Sequence, residues 1–456
     1  MNTKTTARIV IKIHNNIQLQ NGEKDLLECL KKDNESLWEK FMTLYSGTRV
    51  RRLFESVSQE AIDALIEKAK AKAQSKSSSY SPPAFNNYYV ITSNDADKAE
   101  LLRVLNKFTC VERAYEETHS PAPPFVHASK NPRFTHQKYL NKKPVGIDAK
   151  FAWTKKGGDG KSNVRFIDIE QGWKLDHKDL VAARVSLIED GGGLNVTERR
   201  DHGTCVLGVV LAQDNQIGCV GIVPKVQARV VSQWRTIPHG DGDEDMEMRN
   251  ADAILEAIKS SDPGDVILIE AQTEKFNPIE AEHGCFEMIA LGTNLEIIII
   301  EAGGNGENNL DNEVDDLGQL LSTKDSGAII VGAATSGTHR KTHGNNGSNY
   351  GSRIDCYAWG TDINTTNTDR DGSRSTYTSD FAGTSGASAI IAGAVISIQS
   401  MRERANKNIF TPEEMRRILH DPECGTPSAN PEEDRIGLMP DLRRIFEKYI
   451  AGNAQP

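Results

Sequence analysis

The cysteines of this chain include no pair spaced as a metal or redox motif. The seven, at positions 29, 110, 205, 219, 285, 356 and 424, are odd in number, widely scattered and without a Cys-x-x-Cys. That excludes a zinc ribbon and a small disulfide scaffold. Positive charge is not in excess either, with 54 Lys and Arg against 64 Asp and Glu and a net charge of -10. A protein that neutralises phosphate backbones needs a basic face, so no nucleic-acid partner is expected. Long apolar runs are missing, the longest strongly apolar stretch being 297–300, far short of the roughly 20 residues of a membrane span. No membrane partner is expected. Aromatic residues make up only 6% and hydrophobic ones 38%, yet a chain this long still builds a sizeable core from that fraction. The first eight residues run directly into Ile9-Val10-Ile11 with no apolar stretch of signal-peptide length and no small-residue cleavage site. The expectation is a reduced, cytoplasmic protein.

Two regions emerge along the chain. In the first, 8–13 alternates with the period of a strand, and 24–45 carries apolar residues at helical spacing. A strand at 50–57, a helix at 59–74, a Ser/Pro-rich breaker at 75–83, a strand at 88–92, a helix at 96–108 and a strand at 110–115 follow. The pattern predicts a small α+β domain over 1–118, with helices on one face of an antiparallel sheet. Residues 119–130 begin His-Ser-Pro-Ala-Pro-Pro, which fixes φ and removes donors, so they read as a linker. From 131 to 450, apolar strands (164–169, 226–232, 266–269, 297–302, 328–333) alternate with helices (203–212, 246–260, 385–405, 412–419). Nearly continuous apolar strands between helices predict a doubly wound, mostly parallel α/β sheet.

Three motifs fall where such a sheet places its sites, at strand carboxyl ends and helix amino ends. Val164-Arg165-Phe166-Ile167-Asp168 is an apolar strand reaching a carboxylate; Asp201-His202-Gly203-Thr204 opens a helix of small residues; Gly383-Thr384-Ser385-Gly386-Ala387-Ser388 opens another. A serine hydroxyl is a weak nucleophile until an imidazole takes its proton. The imidazole in turn needs a carboxylate on its other nitrogen. A helix amino terminus offers N–H groups to a developing oxyanion. Singly, Asp168 reads as a cap, His202 as a half-buried histidine and Ser385 as loop chemistry. Together, in the order Asp, His, Ser, they point to acyl transfer.

At these residues the chain resembles the subtilisin-like serine proteases, the subtilases. The likeness extends over about 131–425 and includes Asp176-His177-Lys178-Asp179-Leu180, Gly221-Ile222-Val223-Pro224 and Ser348-Asn349-Tyr350-Gly351-Ser352. It implies a subtilisin-like fold and a serine endopeptidase, with Ser385 as nucleophile, His202 as general base and acid, and Asp168 as its orienter. The segment ending Glu301-Ala302-Gly303-Gly304-Asn305 resembles the family stretch that closes on the oxyanion-hole asparagine, implying that role for Asn305. The resemblance also places Glu270-Ala271-Gln272 and Glu301-Ala302-Gly303 on the two substrate-binding edges. The N-terminal region resembles a subtilase propeptide through Tyr88-Tyr89-Val90-Ile91 and Val111-Glu112-Arg113-Ala114-Tyr115. That implies a self-restrained zymogen, its own N-terminal domain the intramolecular inhibitor and 119–130 the autocleavage junction.

Several positions depart from the family pattern. Ile169-Glu170-Gln171 follows Asp168 where a small residue or glycine is usual, and Glu170 either acts on the triad electrostatically or points into solvent. Cys205 stands behind His202 as either a reactive or a buried inert thiol. Glu270 and Glu301 replace small residues at the pocket and, with Glu313, Asp315 and Asp316, suggest a basic P1 preference. The acidic run 239–245 offers carboxylates for Ca²⁺ without the spacing of an EF-hand loop, so a solvated loop is favoured and no calcium ligand is assigned. No cofactor is required by the expected chemistry. The alternatives to hydrolysis of protein or peptide substrates are a peptide ligase or macrocyclase using the same triad, and a protease-like binding module without catalysis.

Overall fold

The computed structural model describes residues 7–19, 23–45, 49–75, 80–93, 98–117, 134–189, 192–215, 217–238 and 244–452. The N-terminal domain runs β1 (Ala7–Ile13), α1 (Glu23–Asp33), α2 (Glu35–Tyr45), β2 (Arg49–Arg52), α3 (Gln59–Ser75), β3 (Tyr88–Ser93), α4 (Lys98–Leu105) and β4 (Val111–Glu117). The four strands form an antiparallel sheet in the order β2-β3-β1-β4. The helix expected over 24–45 is two, divided at Asn34, whose Oδ1 accepts the Leu37 N–H at 3.0 Å as an N-cap.

Alternation along β1 explains the packing. Ile9, Ile11 and Ile13 bury against Leu26 and Leu30 of α1, Phe41 of α2 and Leu101 and Val104 of α4. Val10 points the other way, into a core shared with the rest of the chain that includes Tyr88, Val90 and Tyr115. This second face cannot be left to water and is buried in the core shared with the second part of the chain, where Ile62 and Ala69 of α3, which packs against α8, also lie. The strand expected over 50–57 ends at Arg52, because Leu53, Phe54 and Val57 turn into the shared core.

The second part of the chain runs α5 (Ala149–Ala152), β5 (Arg165–Glu170), β6 (Ser186–Leu187), α6 (Arg200–Leu211), β7 (Gln227–Ser232), β8 (Trp234–Pro238), β9 (Glu244–Met248), α7 (Asn250–Lys259), β10 (Val266–Ile269), α8 (His283–Asn294) and β11 (Ile298–Ala302). There follow β12 (Ile329–Ala334), β13 (Cys356–Trp359), β14 (Ile363–Asn367), β15 (Thr376–Phe381), α9 (Gly383–Arg404), α10 (Pro412–Leu419), β16 (Gly425–Pro427) and β17 (Leu438–Pro440). Nine strands form one sheet in the order β16-β17-β13-β12-β11-β10-β5-β7-β6. All pair in parallel except β16 with β17. The helix expected over 246–260 begins only at Asn250, since Met246 belongs to the β8–β9 hairpin. Among the described residues α9 is the one helix long and apolar enough to cross a membrane, and its apolar window is wholly buried in this core.

The first strand of this sheet, β5, lies between β7 on one side and β10 on the other. Chain order reverses there, which opens a crevice at the carboxyl ends of β5 and β10. The N-terminal sheet lies against α7 and α8. Tyr115 Oη accepts the Gly284 N–H at 3.0 Å in the first turn of α8, Lys12 Nζ reaches Glu287 at 2.9 Å, and Ser56 Oγ reaches Asp252 of α7 at 2.5 Å.

Candidate active site

β5 carries two carboxylates on one face, Asp168 and Glu170, both fully buried. Glu170 is the last residue of the strand and opens onto the crevice. Its Oε1 accepts the Nδ1–H of His202, in the first turn of α6. An ionised carboxylate only accepts, so this bond puts the imidazole proton on Nδ1 and leaves Nε2 free to take another. Glu170 Oε2 is itself held by the Gln171 N–H at 3.1 Å.

Asp168 does not make the contact expected of it. Its Oδ2 accepts the indole Nε1–H of Trp173 at 2.7 Å, and its Oδ1 has no hydrogen-bond partner among the described residues. Burial first, then the charge of Glu170, holds Asp168 well above the usual carboxylate range, with the Trp173 bond opposing. The orienting role assigned to Asp168 is therefore corrected. Strand pleat puts residues i and i+2 on the same face, and His202 meets the carboxylate two residues nearer the carboxyl end. The sequence held a signal for this: alternation continues through Ile169, so the strand's last carboxylate is Glu170.

Close packing fixes the histidine loop. A Cβ on Gly203 would come within 2.7 Å of the Trp173 indole, so glycine there lets α6 approach the Trp173 turn. The Phe381 ring stands edge-on to the imidazole, with centroids 5.3 Å apart. Burial opposes charge on His202, but the charge and hydrogen bond of Glu170 outweigh it and raise its pKa above the ordinary histidine value. Cys205, one turn further into α6, is fully buried, and burial pushes its thiol up. It is an inert core thiol.

Ser385 lies in the first turn of α9, where N–H groups have no partner within the helix. Gly383 opens that turn with φ at +85°, and a Cβ on it would meet Asn305 Oδ1 at 2.9 Å. Only glycine suits both conditions. Asn305 is fixed by its oxygen, which accepts the Thr384 N–H at 2.9 Å. Its Nδ2 donates to Gln272 Oε1 at 3.3 Å, with the Asn305 N–H adding a second bond to the same oxygen at 3.0 Å.

The expected substrate edges are only partly where the sequence placed them. β10 stops at Ile269, and Gln272 pairs with Pro278 across a turn. Ala271 is buried. Glu270 is buried and bound to Ser388 Oγ at 2.8 Å. Glu301 does not line a pocket: it is fully buried and accepts the Glu280 N–H at 3.1 Å. Ala302 is buried in β11, and Gly303 spends its N–H on Val331 O at 2.9 Å and its carbonyl on Asn349 at 2.8 Å. Glu313, Asp315 and Asp316 are committed to Asn277, Lys324 and the His283 N–H respectively. The acidic lining that suggested a basic P1 residue is therefore reduced to Glu270. The proposed cleavage junction at 119–130 and most of the acidic run at 239–245 lie outside the described residues. A cavity of about 330 Å³ lined by Arg165, Arg184, Gln227 and Ser260 opens at the amino ends of β5 and β7, the opposite end of the sheet from this chemistry.

A parallel sheet with a histidine and a serine opening two helices at its switch point defines a subtilisin-like serine peptidase. The model of the Subtilase family matches residues 174–423, more than half of the chain, and the chain belongs to that family. The match begins just beyond Glu170. An intracellular serine protease of Paenibacillus polymyxa is 25% identical over 349 residues, covering 72% of this chain and 96% of the relative. Fervidolysin from Fervidobacterium pennivorans, a keratinolytic enzyme related to subtilisin, shares the fold with a TM-score of 0.53 at 14% identity. The alignment covers 99% of this chain and 62% of fervidolysin.

Proposed function

We propose that the chain is a cytoplasmic serine endopeptidase of protein or peptide substrates whose triad is Glu170, His202 and Ser385. His202 Nε2 removes the Ser385 proton as the hydroxyl attacks the scissile carbonyl, then returns it to the leaving amine. Water hydrolyses the resulting acyl-enzyme by the same route. Glu170 holds the tautomer and stabilises the imidazolium. The oxyanion is met by the Ser385 N–H and by Asn305 Nδ2, which exchanges Gln272 Oε1 for the substrate oxygen. The observation that carries this reading is the bond from His202 Nδ1 to Glu170 at the strand end, since it leaves the catalytic nitrogen free. The family's chemistry needs no cofactor.

The N-terminal domain is read as an intramolecular inhibitor. Arg8 and Lys12 are buried at 2% and 3% exposure, with their charges met partly across the contact by Glu247 and Glu287. The test compares wild type with Ser385→Ala. Wild type is expected to cleave peptides, to be labelled by a fluorophosphonate and to shorten by about the length of the N-terminal domain, the variant to do none of these. An active wild type that stays full length would make the domain a retained regulator. A wild type that neither cleaves nor labels would overturn the peptidase reading.

A further inference from the structure

The mechanism above leaves one buried acid at the nucleophile unused. Glu270 follows directly on β10 and is 8% exposed. Its Oε1 lies 2.8 Å from Ser388 Oγ, one turn along α9 from Ser385. The same hydroxyl lies 2.8 Å from the Thr384 carbonyl and 2.9 Å from the Ser385 carbonyl. Three oxygens thus surround a hydroxyl that owns one proton. Both carbonyls can only accept, and a serine in a helix can give its proton to them. Either Ser388 gives its proton to Glu270 Oε1, or it gives it to a carbonyl and a protonated Glu270 donates to Ser388 Oγ. Its other oxygen, Oε2, is buried with no hydrogen-bond partner among the described residues.

We propose that Glu270 is a positioning residue for Ser385: a carboxylic acid that donates to Ser388 Oγ, turns its second oxygen toward the nucleophile, and works only while it keeps its proton. The proposal rests on the reading of Ser385 as nucleophile. A neutral acid is a weak acceptor, so the Ser385 hydroxyl goes to His202. An ionised Glu270 would compete with His202 for that hydroxyl and set a negative charge beside the developing oxyanion.

The surroundings favour the neutral form. Burial raises Glu270 well above the usual carboxylate range, followed by the charges of Glu170 and Asp168 on β5, while the hydroxyls of Ser388 and Ser385 on α9 pull it back. His202 of α6 is engaged by Glu170. Glu301, the titratable residue of neighbouring β11, is turned to the Glu280 N–H. An acid raised in this way is neutral below its pKa, and activity is lost as pH rises through it.

The experiment measures kcat/KM and the fluorophosphonate labelling rate against pH for wild type, Glu270→Ala and Glu270→Gln, with near-UV circular dichroism confirming the fold at each pH. Wild type is expected to fall off on the alkaline side. Glu270→Ala should lose about 10²-fold, the scale of a misplaced reacting group. The amide of Glu270→Gln donates to Ser388 Oγ and cannot ionise, so that variant should recover most of the loss and show no alkaline fall. The result that overturns the proposal is a folded Glu270→Gln as poor as Glu270→Ala, or one that keeps the wild-type alkaline limb. A wild type that does not label at all would overturn it together with the assignment of Ser385.

Discussion

The indole of Trp173 donates to Asp168 Oδ2 at 2.7 Å in full burial, five residues on along the chain. That bond is the one hydrogen bond satisfying Asp168 among the described residues, because Oδ1 has none. Trp173→Phe should therefore destabilise the fold by about 1–3 kcal/mol, the cost of leaving a buried polar group unpaired. In a double-mutant cycle with Asp168→Asn the two effects should fall short of additive. Additive losses in urea unfolding would show that the contact carries no energy.

With His202 as the proposed base, its pKa, raised by Glu170, sets the acid side of the pH profile. Catalysis needs the neutral imidazole, so kcat/KM should rise with pH through a value above the ordinary 6.5 of histidine. Glu170 is the cause of the upward shift, and Glu170→Gln should move the acid limb down while lowering the rate. An acid limb at the same pH in both proteins would contradict the pairing.

Asn305 is held by its oxygen and gives its amide to Gln272. Asn305→Ala should reduce kcat by about 10²–10³-fold with little change in KM, since the oxyanion is met only in the transition state. A rise in KM at constant kcat, measured with a peptide substrate at steady state, would place Asn305 in substrate binding instead.

Arg8 joins the two parts of the molecule. Its guanidinium reaches the Met248 carbonyl, Glu117 at 3.0 Å and Glu247 at 3.8 Å while 2% exposed. Removing one partner of such a buried cluster costs about 3–5 kcal/mol. Arg8→Ala should loosen the N-terminal domain, so that the purified protein gains peptidase activity several-fold sooner after folding and its unprocessed form melts at a lower temperature. Activity that appears no sooner, with an unchanged melting temperature, would argue against restraint through this contact.

The sequence made the sheet legible because its strands are buried on both faces and read as apolar runs, as in 266–269 and 297–302. The positions of Ser385 and His202 in first helical turns were legible because each opens a helix of small residues. The carboxylate that meets His202 was not, because Asp168 and Glu170 share one face of one strand. Which of them meets the imidazole depends on where the strand ends and where Trp173 folds back, both tertiary facts. Glu301 was misplaced for a related reason. A strand's period gives two faces, but the sequence does not say which face meets substrate and which meets the Glu280 N–H. The second buried face of the N-terminal sheet was hidden in Arg8 and Lys12, whose charges suggest solvent until their partners are seen.

The measurement that bears most directly on this account compares kcat of Glu170→Gln with that of Asp168→Asn, each with its fold confirmed by thermal melting. Glu170→Gln should lose about 10⁴-fold, as when a triad carboxylate is neutralised and the histidine takes the wrong tautomer. Asp168→Asn, which touches Trp173 and not the imidazole, should lose about tenfold at most, the scale of one weakened hydrogen bond. The reverse order, a near-normal Glu170→Gln and a crippled but folded Asp168→Asn, would contradict the assignment of Glu170 as the acid of the triad.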